Sequence, residues 1–389
     1  MVLVTRKIQQ HLLKAFRFGQ IFGGLPFKWN QNSGKAEMRS TAQQRLWRLN
    51  LVFAFIYALY VLLRCLQVSL DSDSTYFQKI NMRVMAAYFS LSIVMHLTII
   101  MNRESIPSFI NGFLGFSKYI EDRFSRFDSK PSLVSTASGF VMQAVWVSIN
   151  CITTLMTLNA FLRPDSKEQV TSLFVDENSI SITIRLVSAC LMAFIEYMYH
   201  ASTFMITLSA LSYMAPILTI INELSCKTFR VTKDELRTPL NRVKMYQVLR
   251  VLMIAFNEIY GTLVIPCFKF LGIVIVVFCT YAAIRMEGIQ ALALGFLGYV
   301  MSLTLVVIFG MLAEFHFRSQ NALEEIKLNG CSQDFLLTNK WLLFYKYCHS
   351  LTPLKVVLRS CYFVDRCMVL NMVNIILENT TTFLIVSHR

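Results

Sequence analysis

Seven stretches of the chain are almost free of Asp, Glu, Lys and Arg: residues 49–63, 84–101, 134–162, 186–222, 251–284, 288–313 and 367–386. Runs of about 20 apolar residues cross a bilayer core as helices, so the pattern predicts seven spans. Charge survives inside three of them: Glu196 in the fourth, Glu258 and Lys269 in the fifth, and Glu378 in the seventh. The fourth and fifth stretches are longer than a crossing requires and are expected to continue beyond the membrane. Between the second and third, Phe109, Phe113, Phe116, Ile120 and Phe124 recur every three or four residues, with Glu121, Asp122 and Arg123 interleaved. That spacing predicts an amphipathic helix. With the long spans and residues 341–358, it is expected to pack as a helical anchor below the membrane; the alternative is a helix lying on the lipid surface.

Composition and charge add an orientation. Hydrophobic residues make up 55% of the chain and charged residues 15%, against about 25% charged in soluble domains. Segments 1–48, 102–133, 223–250 and 314–366 hold 28 of the 37 Lys and Arg, whereas the alternate loops and the carboxyl end hold 7. Cytoplasmic loops carry the excess of basic residues, so the amino terminus is expected in the cytoplasm and, after seven crossings, the carboxyl terminus outside. The net charge of +14 then reflects topology and gives no reason to expect nucleic acid as a partner. The expected architecture is all-α and one domain, with a cytoplasmic segment 1–45, spans one to six over 46–313, anchor helices over 314–365 and the last span over 366–389.

The first 45 residues are basic and broken by Gly19, Gly23, Gly24 and Pro26, so no cleavable signal peptide is expected. The 10 cysteines include no Cys-x-x-Cys spacing, which gives neither a disulfide framework nor a zinc site. No internal repeat is visible, against the duplicated halves of many transporters. Short outer loops leave the helix bundle itself as the place for a small ligand. Neither a nucleophile–base pair nor a Gly-rich phosphate loop is present, and His96, His200 and His316 lack metal spacing, so no enzyme, metal or cofactor is expected.

The last stretch is the most unusual. Asn371, Asn374, Glu378, Thr381 and Thr382 share one helical face, with Met368 below and Ile385 above, while Val369, Val373, Ile376, Phe383 and Leu384 oppose them. A charged side chain at the bilayer centre costs about 2.5–3.5 kcal/mol on insertion scales, so the stripe is expected to face away from lipid. Two arrangements satisfy that: hydrogen bonding within one bundle, or a water-filled pore shared by several copies, in which a ring of carboxylates attracts cations. The pore reading makes Asn371, Asn374, Glu378, Thr381, Thr382 and Ile385 its lining. Glu196 and Lys269 lie at similar depth, roughly 20 Å below the outer ends of their spans at 1.5 Å per residue. They are expected to form an intramembrane ion pair, beside a helix kinked at Pro266; the alternative is a protonated Glu196. Tyr88, Trp146, Asn150, Tyr197, Tyr281 and Tyr299 offer aromatic and polar contacts for a ligand in the outer bundle, although each also suits ordinary packing.

Seven spans, the basic connection before the last one, the "FGQIFGGLPFKW" segment and the closing "TTTFLIVSHR" together resemble the insect gustatory and odorant receptor superfamily. The gustatory branch ends in Thr-Tyr, five residues and Gln; here Thr382, Phe383 and Arg389 stand at those positions. The resemblance implies a plasma-membrane, ligand-gated, nonselective cation channel, a homo- or hetero-tetramer with the last helix of each subunit at the pore and a small tastant as ligand. Family members place apolar gate residues where this chain has Asn374 and Glu378. The rival reading is a G-protein-coupled receptor, but "EDRF" at 121–124 follows the second span instead of the third, and no Asn-Pro-x-x-Tyr occurs in the seventh. A small-molecule transporter using Glu196, Lys269 and Glu378 for a coupling ion is the third.

Overall fold

Hydrophobic runs fold into helices here because a helix satisfies its own backbone hydrogen bonds where water is absent. The computed structural model describes residues 6–21, 23–125, 133–174, 180–225, 232–329, 346–358 and 362–386. Its ten principal helices are α1 (Arg6–Ile21), α2 (Thr41–Leu70), α3 (Tyr76–Met101), α4 (Ser105–Phe124), α5 (Leu133–Leu162), α6 (Ile182–Leu224), α7 (Pro239–Phe256), α8 (Val264–Arg285), α9 (Ile289–Asn329) and α10 (Arg366–Val386). Two small antiparallel hairpins join them, β1 (Phe27–Asn30) with β2 (Lys35–Met38) and β3 (Val357–Leu358) with β4 (Tyr362–Phe363). Seven helices, α2, α3, α5, α6, α8, α9 and α10, are long and apolar enough to cross a membrane. Local signals set several starts. Thr75 and Gln78 exchange side-chain and backbone hydrogen bonds at the head of α3 (3.3 and 3.1 Å), and the Asp365 carboxylate accepts the Met368 N–H at the head of α10 (2.9 Å).

The bundle is organised around α6, which packs against α1, α2, α3, α4, α5, α7 and α9. The most apolar window of α6 is 89% buried, that of α10 11%, which puts one helix at the centre and the other at the edge. α6 has 43 residues, a rod of about 65 Å against a hydrocarbon core of about 30 Å, so it extends beyond the membrane as its length suggested. α9 does the same: its apolar part is followed by an amphipathic continuation burying Phe315, Ala322, Leu323 and Ile326.

The fifth stretch departs from expectation. It is not one helix but two, α7 and α8, separated by a wider π-helical turn at Asn257–Gly261. The chain ahead of α10 packs against the break. Asn257 Nδ2 donates to the Lys355 carbonyl (2.8 Å), and its Oδ1 accepts the Val357 N–H (3.1 Å). A Cβ on Gly261 would collide with the Val357 carbonyl oxygen, so only glycine allows this approach. Pro266 is not a kink; it is the third residue of α8, where a missing N–H costs no helical hydrogen bond.

At the end of the bundle that carries the basic loops, α4 buries Phe109, Phe113, Phe116, Ile120 and Phe124 against neighbours that include α6 and α7. Tyr213 stacks on Phe256 (5.0 Å between ring centroids) and on Phe315 (6.0 Å), joining α6, α7 and α9; each fully buried ring contributes about 1.5–3 kcal/mol. The segment before β3 threads this end. Tyr246 Oη donates to the Thr352 carbonyl (2.9 Å), and Ser319 Oγ accepts the Leu354 N–H (2.9 Å). Residues 330–345 and 359–361 of the expected anchor lie outside the described residues, and residues 351–358, expected as helix, are not helical and end in β3. The amino-terminal hairpin docks on α4 through Asn111, whose amide accepts the Ala36 N–H (2.8 Å) and donates to the Ala36 carbonyl (2.9 Å), as another strand would.

At the opposite end, the loop after α5 is tied to α2. Tyr60 Oη donates to the Gln169 carbonyl (2.8 Å), and Lys167 pairs with Asp71 (3.2 Å). The Ser74 hydroxyl, the Asp73 N–H and Lys167 lower the Asp71 carboxyl from 3.8 to about 2. A carboxyl whose folded value is depressed stabilises the fold above its unfolded value and loses that contribution as pH falls through the folded one. The melting temperatures of the wild type and Asp71→Asn in detergent should therefore differ at neutral pH and converge as pH falls from 3.8 toward about 2. Gly261→Ala should destabilise the protein by about 1–3 kcal/mol, the usual cost of overpacking, read as a lower unfolding midpoint.

Candidate functional site

Two places gather the chemistry: the outward face of α10 and a chamber inside the bundle. α10 runs beside α8 and α9. It buries Met368, Met372 and Thr380 and half-buries Val369, Ile376, Phe383 and Leu384. At about 3.6 residues per turn, the side opposite that seam carries Asn371, Asn374, Glu378, Thr381, Thr382 and Ile385, and all six are exposed. Two apolar positions differ from expectation. Met368 lies about a quarter turn from the polar stripe and is buried, while Val373 lies on a flank and is exposed. The threonines return their hydroxyl hydrogens to carbonyls one turn back, Thr381 to Leu377 and Thr382 to Glu378 (2.8 Å each). Asn374 Nδ2 donates to Glu378 Oε1 (2.8 Å). Among the described residues no cation pairs with Glu378, so its charge stands on the open face.

Both ends of α10 are fastened. At its start, Arg366 donates twice to Glu314 Oε1 of α9 (3.1 and 2.6 Å) and covers the Phe317 ring (3.6 Å to the centroid), while Arg318 holds Glu314 Oε2 (2.6 Å). At its end, Arg285 of α8 donates to the Leu384 carbonyl (3.1 Å), a favourable place for a cation because helix carboxyl ends are negative. Phe278 and Tyr281 of α8 meet Phe383 below that contact (5.4 and 6.2 Å).

The chamber, of about 280 Å³, lies among α3, α5, α6, α8 and α9 and opens to the surface of the bundle past Phe140 and Leu303, with Leu91, Val145, Ile149, Leu211, Val300 and Ile308 among its apolar walls. Tyr88 and His200 stand in that wall, and behind them lies Glu196, 0% exposed. Tyr88 Oη donates to Glu196 Oε2 (2.8 Å) and lies 3.0 Å from His200 Nε2; His200 Nε2 is 3.2 Å from the same carboxylate oxygen. A second cavity of about 260 Å³ between α3, α5 and α9 shares Ile152 and Leu297 with the chamber and carries Asn81, Asn159 and Arg163 on its wall.

The expected Glu196–Lys269 pair does not form. Glu196 faces α3 and its own helix, whereas Lys269, in the second turn of α8, reaches the Tyr362 ring of β4 (5.5 Å). Of the six residues expected at a ligand, Tyr88 lines the chamber. Trp146 and Tyr197 instead pack around Phe18 of α1 (5.4 and 5.5 Å). Asn150 donates to the Trp146 carbonyl (2.7 Å), Tyr281 meets Tyr76 (5.7 Å), and Tyr299 is 66% exposed. Beside Tyr88 the chamber wall holds His200, weighed above only as a metal ligand, although its i, i+4 spacing from Glu196 puts the two on one helical face.

No protein-family model matches the chain, and no curated protein matches it in sequence. Solved structures do. The insect olfactory receptor OR5 from Machilis hrabei superposes with a TM-score of 0.63 over 95% of this chain and 96% of that one, at 15% identity. The same receptor in complex with eugenol gives 0.63 over 97% and 98%, also at 15% identity. The two chains share one fold. Agreement over nearly the whole of both chains means that the olfactory receptor and this protein have the same helix order and packing, while a shared fold leaves their chemistry to individual side chains.

The Arg366–Glu314 contact needs the planar two-pronged guanidinium. Arg366→Lys should lower stability by about 1 kcal/mol and Arg366→Ala by about 1.5–3 kcal/mol, the range for hydrogen bonds to charged groups, measured as unfolding of detergent-solubilised protein.

Proposed function

We propose that this protein is a multi-pass chemosensory receptor of the plasma membrane, acting as a ligand-gated, nonselective cation channel, with its amino terminus in the cytoplasm and its carboxyl terminus outside. Its working form is a tetramer of this chain or of this chain with related subunits, and α10 of each subunit borders the axis. One observation carries this reading: the five polar residues of the stripe and Ile385 above them are all exposed, on the side of α10 away from its seam with α8 and α9. A lone protomer would leave a carboxylate facing hydrocarbon, whereas a symmetric assembly gives it water. Thr382 keeps the threonine of the gustatory closing motif, and the polar Asn374 and Glu378 at the gate positions suit the gustatory or gustatory-receptor-like branch, whose ligand is a tastant or other small chemical. The chamber beside Tyr88 and His200 is its site, and the apolar lining with few polar groups suits a small, mostly apolar molecule.

In this reading Glu378 and Asn374 replace the apolar gate of the family, so the narrowest dry point lies elsewhere and Glu378 acts on ion choice. Cells expressing the protein should pass cation current on addition of a small apolar tastant. Glu378→Gln should lower the cation-over-anion permeability ratio about fivefold, the loss of roughly 1 kcal/mol of attraction in a water-filled site, measured from reversal potentials in dilute salt. An unchanged ratio removes Glu378 from the conduction path. A single-particle image with α10 on the rim of the assembly removes the pore itself.

A further inference from the structure

We propose that the chamber selects ligands bearing a hydroxyl hydrogen, alcohols or phenols, and that His200 Nδ1 is the atom that accepts it. The inference rests on the chamber's being the ligand site and adds the class of molecule it takes. We take Glu196 as ionised and His200 as neutral, and an ionised carboxylate only accepts hydrogen bonds. Glu196 is 0% exposed, and its Oε2 already receives the Tyr88 hydroxyl at 2.8 Å. His200 Nε2 approaches that same oxygen at 3.2 Å. Two lone pairs facing each other in a buried site repel, so Nε2 carries the ring hydrogen. In a neutral imidazole the other nitrogen is then an acceptor. Among the described residues no side chain or backbone group pairs with Nδ1, and His200 forms part of the chamber wall.

The other polar groups of the chamber, the hydroxyls of Ser92, Ser148, Thr203, Thr207 and Thr304, do not impose the same polarity, since a hydroxyl can both donate and accept. Ser92 donates to the Tyr88 carbonyl (3.3 Å) and Thr304 to the Val300 carbonyl (2.7 Å), each within its own helix. The Thr203 hydroxyl is buried and has no partner, but a hydroxyl rotates to suit either a donor or an acceptor. Nδ1 is fixed as an acceptor by Glu196 behind it. A ligand with only acceptor atoms leaves Nδ1 unpaired when water is expelled, and that is the penalty on which the selection works. Glu196 is a positioning residue: it does not line the chamber, and it sets which ring nitrogen bears the hydrogen.

The test compares 4-butylphenol with 4-butylanisole, which share an apolar body and differ in the donor, by equilibrium binding to the full-length protein in lipid nanodiscs. The phenol should bind about three- to tenfold more tightly, the worth of one net hydrogen bond. His200→Phe, similar in size, should bring the ratio near one through loss of phenol affinity alone. Glu196→Gln should lower the ratio as well, because its amide donates to Nε2 and shifts the ring hydrogen to Nδ1. Leu297→Trp, which fills the chamber, should weaken both probes alike. Equal wild-type affinities, no binding of the phenol, or a preference that survives His200→Phe would each overturn the hydroxyl selection. If both probes bind as before to Leu297→Trp, the chamber assignment itself fails, an outcome separable from the others because it does not depend on the phenol-to-anisole ratio.

Discussion

Hydrocarbon supplies no hydrogen-bond partner, and the placement of the two main polar clusters of this bundle answers to that constraint. Glu196 illustrates the inward answer: a fully buried acid shared between a tyrosine on α3 and a histidine one turn along α6. α10 illustrates the outward one, returning its threonine hydroxyls to its own backbone and leaving a carboxylate on the exposed side. In the proposed receptor the two solutions would divide the labour: the buried polar cluster would give the chamber direction, and the open polar stripe would give an assembly its aqueous seam. Neither arrangement adds much to the stability of a lone chain; burial of α6 and of the aromatic cluster at the basic end supplies that.

The fold was largely readable from composition, because charge-free runs leave few options once water is excluded. All seven membrane-length helices correspond to runs visible in the sequence, and the Phe109 to Phe124 periodicity became the buried face of α4. The break between α7 and α8 was not readable. Residues 251–284 are mostly apolar, with Asn257, Glu258 and Lys269 the main interruptions, and the reason for Gly261 is the carbonyl of Val357, distant in sequence. The same limit applies to Pro266, whose position in a helix depends on where that helix starts.

Site residues were less legible than spans, for two physical reasons. Depth along a helix is countable but facing is not, so Glu196 and Lys269 matched in depth and still point to different neighbours. Aromatic rings are ambiguous in the opposite way. Trp146 and Tyr197 carry the chemistry of a binding site, yet α1 folds back and fills their surroundings with Phe18. What the sequence did hold was the Glu196–His200 spacing, a local signal that needs no tertiary knowledge.

Fastening at both ends gives α10 a mechanical character. Arg366 clamps its start to α9, Arg285 clamps its finish to α8, and Asn257 grips the strand that feeds it. These contacts couple α10 to α8 and α9. In the proposed channel, widening of a central passage would carry the three helices together, and the chamber wall contributed by α8 and α9 would be where an occupant pushes on them.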